Sequence, residues 1–118
     1  MIWIKKIKWF FQRLFRGYAE PDLWSLDVAL AKLIIPRLKA FIKYKRSEGG
    51  LQGYPYPFHS QEAWDKKLDE MVWALKTVID QDTCPNIKDN GATQYLKYIR
   101  KREKGLRAFG KYFTCLWD

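Results

Sequence analysis

The stretch Ser60-Gln-Glu-Ala-Trp64-Asp-Lys-Lys-Leu68-Asp-Glu-Met71-Val-Trp-Ala-Leu75-Lys-Thr-Val78-Ile79 decides the fold class. Trp64, Leu68, Met71, Leu75 and Val78 recur at alternating spacings of four and three, which puts them on one face of an α-helix. Ser60 stands where its hydroxyl can cap the first turn. Strand-like alternation of apolar and polar residues is essentially absent from the rest of the chain. The expected fold is all-α, a compact bundle of about four helices forming a single domain over residues 1–118.

Upstream, a helix is expected from Asp22 to about Tyr44, with Asp22 capping its start after Pro21. Leu23, Leu26, Leu30, Leu33, Ile34, Leu38, Phe41 and Ile42 supply its apolar face. Pro36 cannot donate to the Lys32 carbonyl and its ring crowds that turn, so a kink or break is expected between Ile35 and Arg37. Asp27 lies near the apolar stripe and must reach solvent or a partner. A buried Asp27–Arg37 pair is one solution. Ten residues of ideal helix span about 15 Å, so such a pair needs the kink or another chain. Long polar loops are expected at 47–59, which contains Tyr54-Pro-Tyr-Pro-Phe58, and at 80–92. A last helix runs from about Thr93 to Leu116, where Gly105 weakens the helix or permits close approach of a neighbour.

The N-terminal segment MIWIKKIKWFFQRLFRG has no apolar run long enough to span a bilayer and no signal-peptide organisation. Its period is helical. Trp3, Ile4, Ile7, Phe10, Phe11, Leu14 and Phe15 share one face, and Lys5, Lys6, Lys8, Gln12, Arg13 and Arg16 the other, with Trp9 as the exception. Gly17 ends the helix. Such a helix suits a membrane interface. Because a domain of this size needs its apolar surface for a core, docking of 1–17 on the bundle is the first expectation.

The whole chain has 118 residues, a net charge of +9 and 17% aromatic residues. That length excludes a TIM barrel or a complete doubly wound dinucleotide enzyme. Residues 1–46 alone carry +8, since they hold half of the Lys and Arg but only Glu20, Asp22 and Asp27 as acids. The basic half would attract phosphate, nucleic acid, an anionic membrane or an acidic protein.

Phe11-Gln-Arg-Leu-Phe-Arg-Gly-Tyr18, Asp22-Leu-Trp-Ser-Leu-Asp27, Pro36-Arg-Leu-Lys-Ala-Phe41, Gly53-Tyr-Pro55, Trp64-Asp-x-x-Leu-Asp-x-Met71 and Gly105-Leu-Arg-Ala-Phe-Gly-Lys-Tyr-Phe-Thr-Cys-Leu-Trp-Asp118 follow one another in order. With these blocks the chain resembles a family of small uncharacterised helical proteins encoded by tailed bacteriophages. The resemblance implies phage origin, the host cytoplasm as location and a helical fold that includes the first helix. It brings no activity and no catalytic residue.

The residues themselves offer little catalytic chemistry. His59 is the only histidine, and no nucleophile motif surrounds Ser60. Cys84 and Cys115 form no CxxC pair, and three Cys/His residues fall short of a structural zinc site. Glu62, Asp65 and Asp69 read as a solvated helix face. Asp80, Asp82 and Asp89 begin like a calcium loop, but Pro85 stands where glycine is required. No catalytic residue, metal site or cofactor is expected, and an enzyme is unsupported.

Binding is the better-founded class. The first expectation is a non-enzymatic accessory protein acting on a host or phage protein, or by self-association. The alternative is an anionic, nucleotide-like or nucleic-acid ligand held by the basic 32–46 region, with Arg37, Lys39 and Lys43 as cations and Tyr54, Tyr56 and His59 beside them. A further alternative is peripheral membrane attachment through helix 2–16.

Overall fold

A computed structural model describes residues 2–46, 53–55, 57–80, 84 and 87–116. Its elements are α1 (Ile2–Arg16), α2 (Glu20–Trp24), α3 (Leu26–Arg46), α4 (Gln61–Ile79) and α5 (Ile87–Lys111), followed by a 3-10 turn at Phe113–Cys115. Among the described residues there is no strand. The chain divides into two compact units, residues 1–30 and 31–118.

In the first unit, α1 stops where expected. Gly17 adopts a φ of +86°, a left-handed conformation that glycine reaches without steric cost, and its N–H donates to the Arg13 carbonyl at 3.0 Å. The helix expected from Asp22 to Tyr44 is in fact two. Pro21 lies in the first turn of α2, a position where the missing N–H has no helical partner to lose. The Asp22 carboxylate reaches back and accepts the Ala19 N–H at 2.9 Å. The chain breaks at Ser25, with φ −137° and ψ 71°, and its carbonyl then accepts the Ala29 N–H at the start of α3. Asp27 falls in the first turn of α3 and is exposed. A carboxylate there complements the positive end of the helix dipole, so it needs no buried partner.

Of the kink or break expected at Pro36, the break is absent. The helix neither ends nor restarts there: α3 continues from Leu26 to Arg46 with the proline inside it. An interior proline costs roughly 3 kcal/mol, and two features offset it. Pro36 is exposed, so the Lys32 carbonyl that loses its donor lies on the solvent side. Ala31 and Ile35 before it, and Leu38 and Ile42 after it, are all buried in one core. Continuity of the helix is what places all four on the same side.

That core is completed by Trp64, Leu68, Met71, Val72 and Leu75 of α4 and by Ala108 and Tyr112. Ser60 caps α4 as its sequence implies, its hydroxyl accepting the Ala63 N–H at 3.1 Å. Gly105 allows α5 to approach α4 closely. An added Cβ there would lie 2.5 Å from the Ala74 Cβ and 2.6 Å from the Glu70 carbonyl oxygen. The expected loop at 80–92 is shorter than its turn-forming residues suggest, because α5 already begins at Ile87. Of the loop at 47–59, residues 47–52 and 56 lie outside the described residues. Phe58 is half-buried and packs against this core. Its ring lies 5.2 Å from that of Trp64 and 5.1 Å from that of Tyr112.

Candidate functional site

The first candidate surface is built inside the unit of residues 1–30. Arg13 donates through Nε and Nη2 to the two Asp22 carboxylate oxygens, at 3.1 and 2.8 Å. These bonds, with that from Ala19, hold the Asp22 carboxyl below its ordinary range, and the Arg13 guanidinium is raised in turn. Trp9 packs edge-on against Trp24, with ring centroids 6.0 Å apart. Both ties leave α1 from its basic side. Trp9 thus departs from the charge pattern because it is part of the attachment to α2.

The opposite face is left outward. Trp3, Ile4, Ile7, Phe10, Phe11, Leu14 and Phe15 are exposed, with Phe15 at 81%, Leu14 at 63% and Phe10 at 61%. No residue of α1 is buried. Lys6 and Lys8 border this apolar strip, with Lys5 and Arg16 further round the helix, and no acidic residue occurs between Ile2 and Arg16. Arg16 sits over the Tyr18 ring at 4.4 Å and donates to the Tyr18 carbonyl. The surface is therefore apolar in the middle and cationic at its margins. Among the described residues, no helix is long and apolar enough to cross a membrane.

The second candidate lies in the unit of residues 31–118. Ile34, Leu38 and Phe41 of α3 face Phe109, Phe113 and Leu116 across an open groove of about 210 Å³, and Arg37 stands at its edge. Arg37 is exposed and donates through Nη1 to the Leu33 carbonyl at 2.8 Å. Asp27 and Arg37 are both exposed, so they form no buried pair within the chain.

The basic residues expected to act together with Arg37 do not share its face. Arg37 and Lys39 are separated by about 160° around the helix. Lys39 instead meets Lys76 of α4, and hydrogen bonding with that side chain, together with its like charge, pushes the Lys39 ammonium below its ordinary pKa. Lys43 is exposed one turn further along the Lys39 side. Tyr54 and His59 are also exposed. Tyr56 lies outside the described residues. Among the described residues, no group of three His, Cys, Asp or Glu side chains could hold a metal ion.

Sequence reasoning missed Lys76 and the aromatic side of the groove. Lys76 sits between the core residues Leu75 and Thr77, with no local pattern to mark it. Phe109 and Phe113 do show helical spacing, but that spacing does not reveal that a concave space lies beside them. The chain matches no family model, and neither the curated proteins nor the solved structures contain a match to it.

Proposed function

We propose that this chain is a non-enzymatic accessory protein that attaches to an anionic membrane surface, with α1 lying in the interface. The observation that carries this reading is the direction of the contacts within the first unit. Trp9 and Arg13 tie the basic side of α1 to α2, while seven large apolar side chains on the other side are exposed. A helix of 15 residues is about 22 Å long. Lying flat, it brings its whole apolar strip to the acyl boundary and its lysines to the headgroups. Aromatic side chains suit this depth, where one part of the ring is apolar and its surroundings are wet. On the phage reading, the surface is the inner face of the host membrane, reached from the cytoplasm.

Self-association through the same strip is the competing occupant. Charge favours the lipid, because two copies facing each other would bring two sets of unpaired lysines together, whereas anionic headgroups neutralise them. Flotation with vesicles tests the choice. The protein should rise with phosphatidylglycerol-containing vesicles, rise less with pure phosphatidylcholine, and lose the difference at high salt. A stable dimer that ignores both vesicles would replace the membrane reading with the self-association one.

A further inference from the structure

We infer that the groove beside Arg37 is a binding site for a small monoanionic amphiphile, a medium-chain alkyl or aryl carboxylate. This site goes beyond the membrane reading of α1 and rests on different residues. The groove is apolar on both walls, with Leu38, Phe41 and Phe109 at its base and Phe113, 60% exposed, at its lip. A dry apolar cavity of about 150 Å³ accommodates benzene. The roughly 210 Å³ here therefore suits one ring with a short extension, or a chain of comparable bulk.

Charge selects the other end of the ligand. Among the described residues, Arg37 is the only charged one lining the groove. Its bond to the Leu33 carbonyl uses Nη1 and holds the guanidinium at the edge, which leaves donors on Nη2 and Nε for a carboxylate. A planar guanidinium can take a carboxylate through two parallel bonds, as an ammonium cannot. A nucleotide fits this surface poorly. Its sugar and base would bring many polar groups against walls that carry no other polar side chain among the described residues, and each unsatisfied group costs free energy. The chemistry that fits is one anionic head on an apolar tail.

Octanoate and octanol are suitable probes, because they share a tail and differ in the head. Methyl-detected NMR on the full chain should show saturable octanoate shifts at Ile34, Leu38 and Leu116. R37Q should weaken octanoate by about tenfold or more while leaving octanol within about twofold, since loss of a charge-assisted bond affects only the carboxylate. F113A, which removes an exposed wall, should weaken both probes. The same shifts must persist in F11E, whose α1 face no longer favours amphiphiles. Shifts confined to Ile4, Ile7 and Leu14 of α1, or equal losses of octanoate and octanol in R37Q, would overturn the assignment. So would the absence of saturable shifts at millimolar octanoate. Loss of the groove shifts leaves vesicle binding by α1 intact, and loss of vesicle binding in F11E leaves the groove shifts intact, so the two proposals fail separately.

Discussion

Phe11→Glu is the sharpest perturbation of the membrane reading. Phe11 lies in the middle of the apolar strip of α1 and is 49% exposed. Complete burial of a phenylalanine side chain is worth roughly 1.5–3 kcal/mol. With half of the side chain still open, membrane contact adds about 1 kcal/mol at this position. A carboxylate near an anionic surface is opposed by about another 1 kcal/mol, the inverse of what a lysine gains there. The total of about 2 kcal/mol corresponds to roughly thirtyfold weaker partitioning. Vesicle flotation over a range of lipid concentrations measures that ratio directly.

Two controls separate the membrane from general effects. Leu96→Glu replaces an equally exposed apolar residue of α5 and carries only the charge penalty, so its loss should not exceed about fivefold. Replacing Lys5, Lys6 and Lys8 together by glutamine should weaken binding to anionic vesicles by about 3 kcal/mol at low salt, with little change on phosphatidylcholine. Phe11→Glu should leave the thermal unfolding of the protein nearly unchanged, as substitutions at exposed positions usually do. If Phe11→Glu and Leu96→Glu reduce binding equally, or if Phe11→Glu leaves it untouched, α1 is not the attachment element.

Gly105→Ala should destabilise the second unit. The added Cβ meets both Ala74 and the Glu70 carbonyl, an overpacking cost of about 1–3 kcal/mol that outweighs up to about 1 kcal/mol of gained helix propensity. A raised melting temperature would show that α4 and α5 are not in contact at this glycine. Asp22 makes the α1–α2 attachment acid-sensitive. Because its folded pKa is depressed, its contribution is present above the ordinary aspartate value of about 3.9 and is lost as pH falls through the lower folded value. Trp fluorescence should follow that loss in wild type but not in D22N; an identical acid profile in D22N would refute the role given to the pair. Lys39 has the opposite sign. Its folded pKa is depressed by Lys76, so its charged form disfavours folding at neutral pH, and stability returns only as pH rises from the folded value to the unfolded one. K76Q should therefore raise the melting temperature at pH 7, and a decrease would show that Lys76 makes a favourable contact instead.

The helices were legible in the sequence wherever one periodic face meets one core. Trp64, Leu68, Met71 and Leu75 are the case in point, and Ser60 marks the start of α4 as the capping rule requires. Local rules failed where distant packing outweighed them. Pro36 satisfies every local criterion for a break, yet Ile35 and Leu38 on either side of it are held in the same core. Ser25 does interrupt the chain although neither glycine nor proline is present, because its carbonyl and the acid at Asp27 start a new helix. Turn-forming Asn90-Gly91 lies within α5, a position that composition alone would not assign.

The first helix shows what periodicity alone leaves open. A small domain short of apolar surface is expected to recruit every amphipathic helix, and on that ground α1 belongs to the core. Among the described residues, the core of the second unit is drawn from α3, α4, α5 and Tyr112, with Phe58 packed against it, and it buries Trp64, Leu68 and Met71 completely. In the first unit, the contacts that fix α1 run through the two residues least suited to an apolar seam, Trp9 among lysines and Arg13. Periodicity states which side chains share a face, but only pairings distant in sequence, here Trp9–Trp24 and Arg13–Asp22, state which face turns inward. Once those pairings are known, the outward apolar strip is a consequence of the unit's own construction. A substitution that released Arg13 from Asp22 would therefore loosen the strip's support without altering a single residue of the strip. D22N should accordingly lower vesicle affinity by less than Phe11→Glu does, with the remaining binding still dependent on Lys5, Lys6 and Lys8.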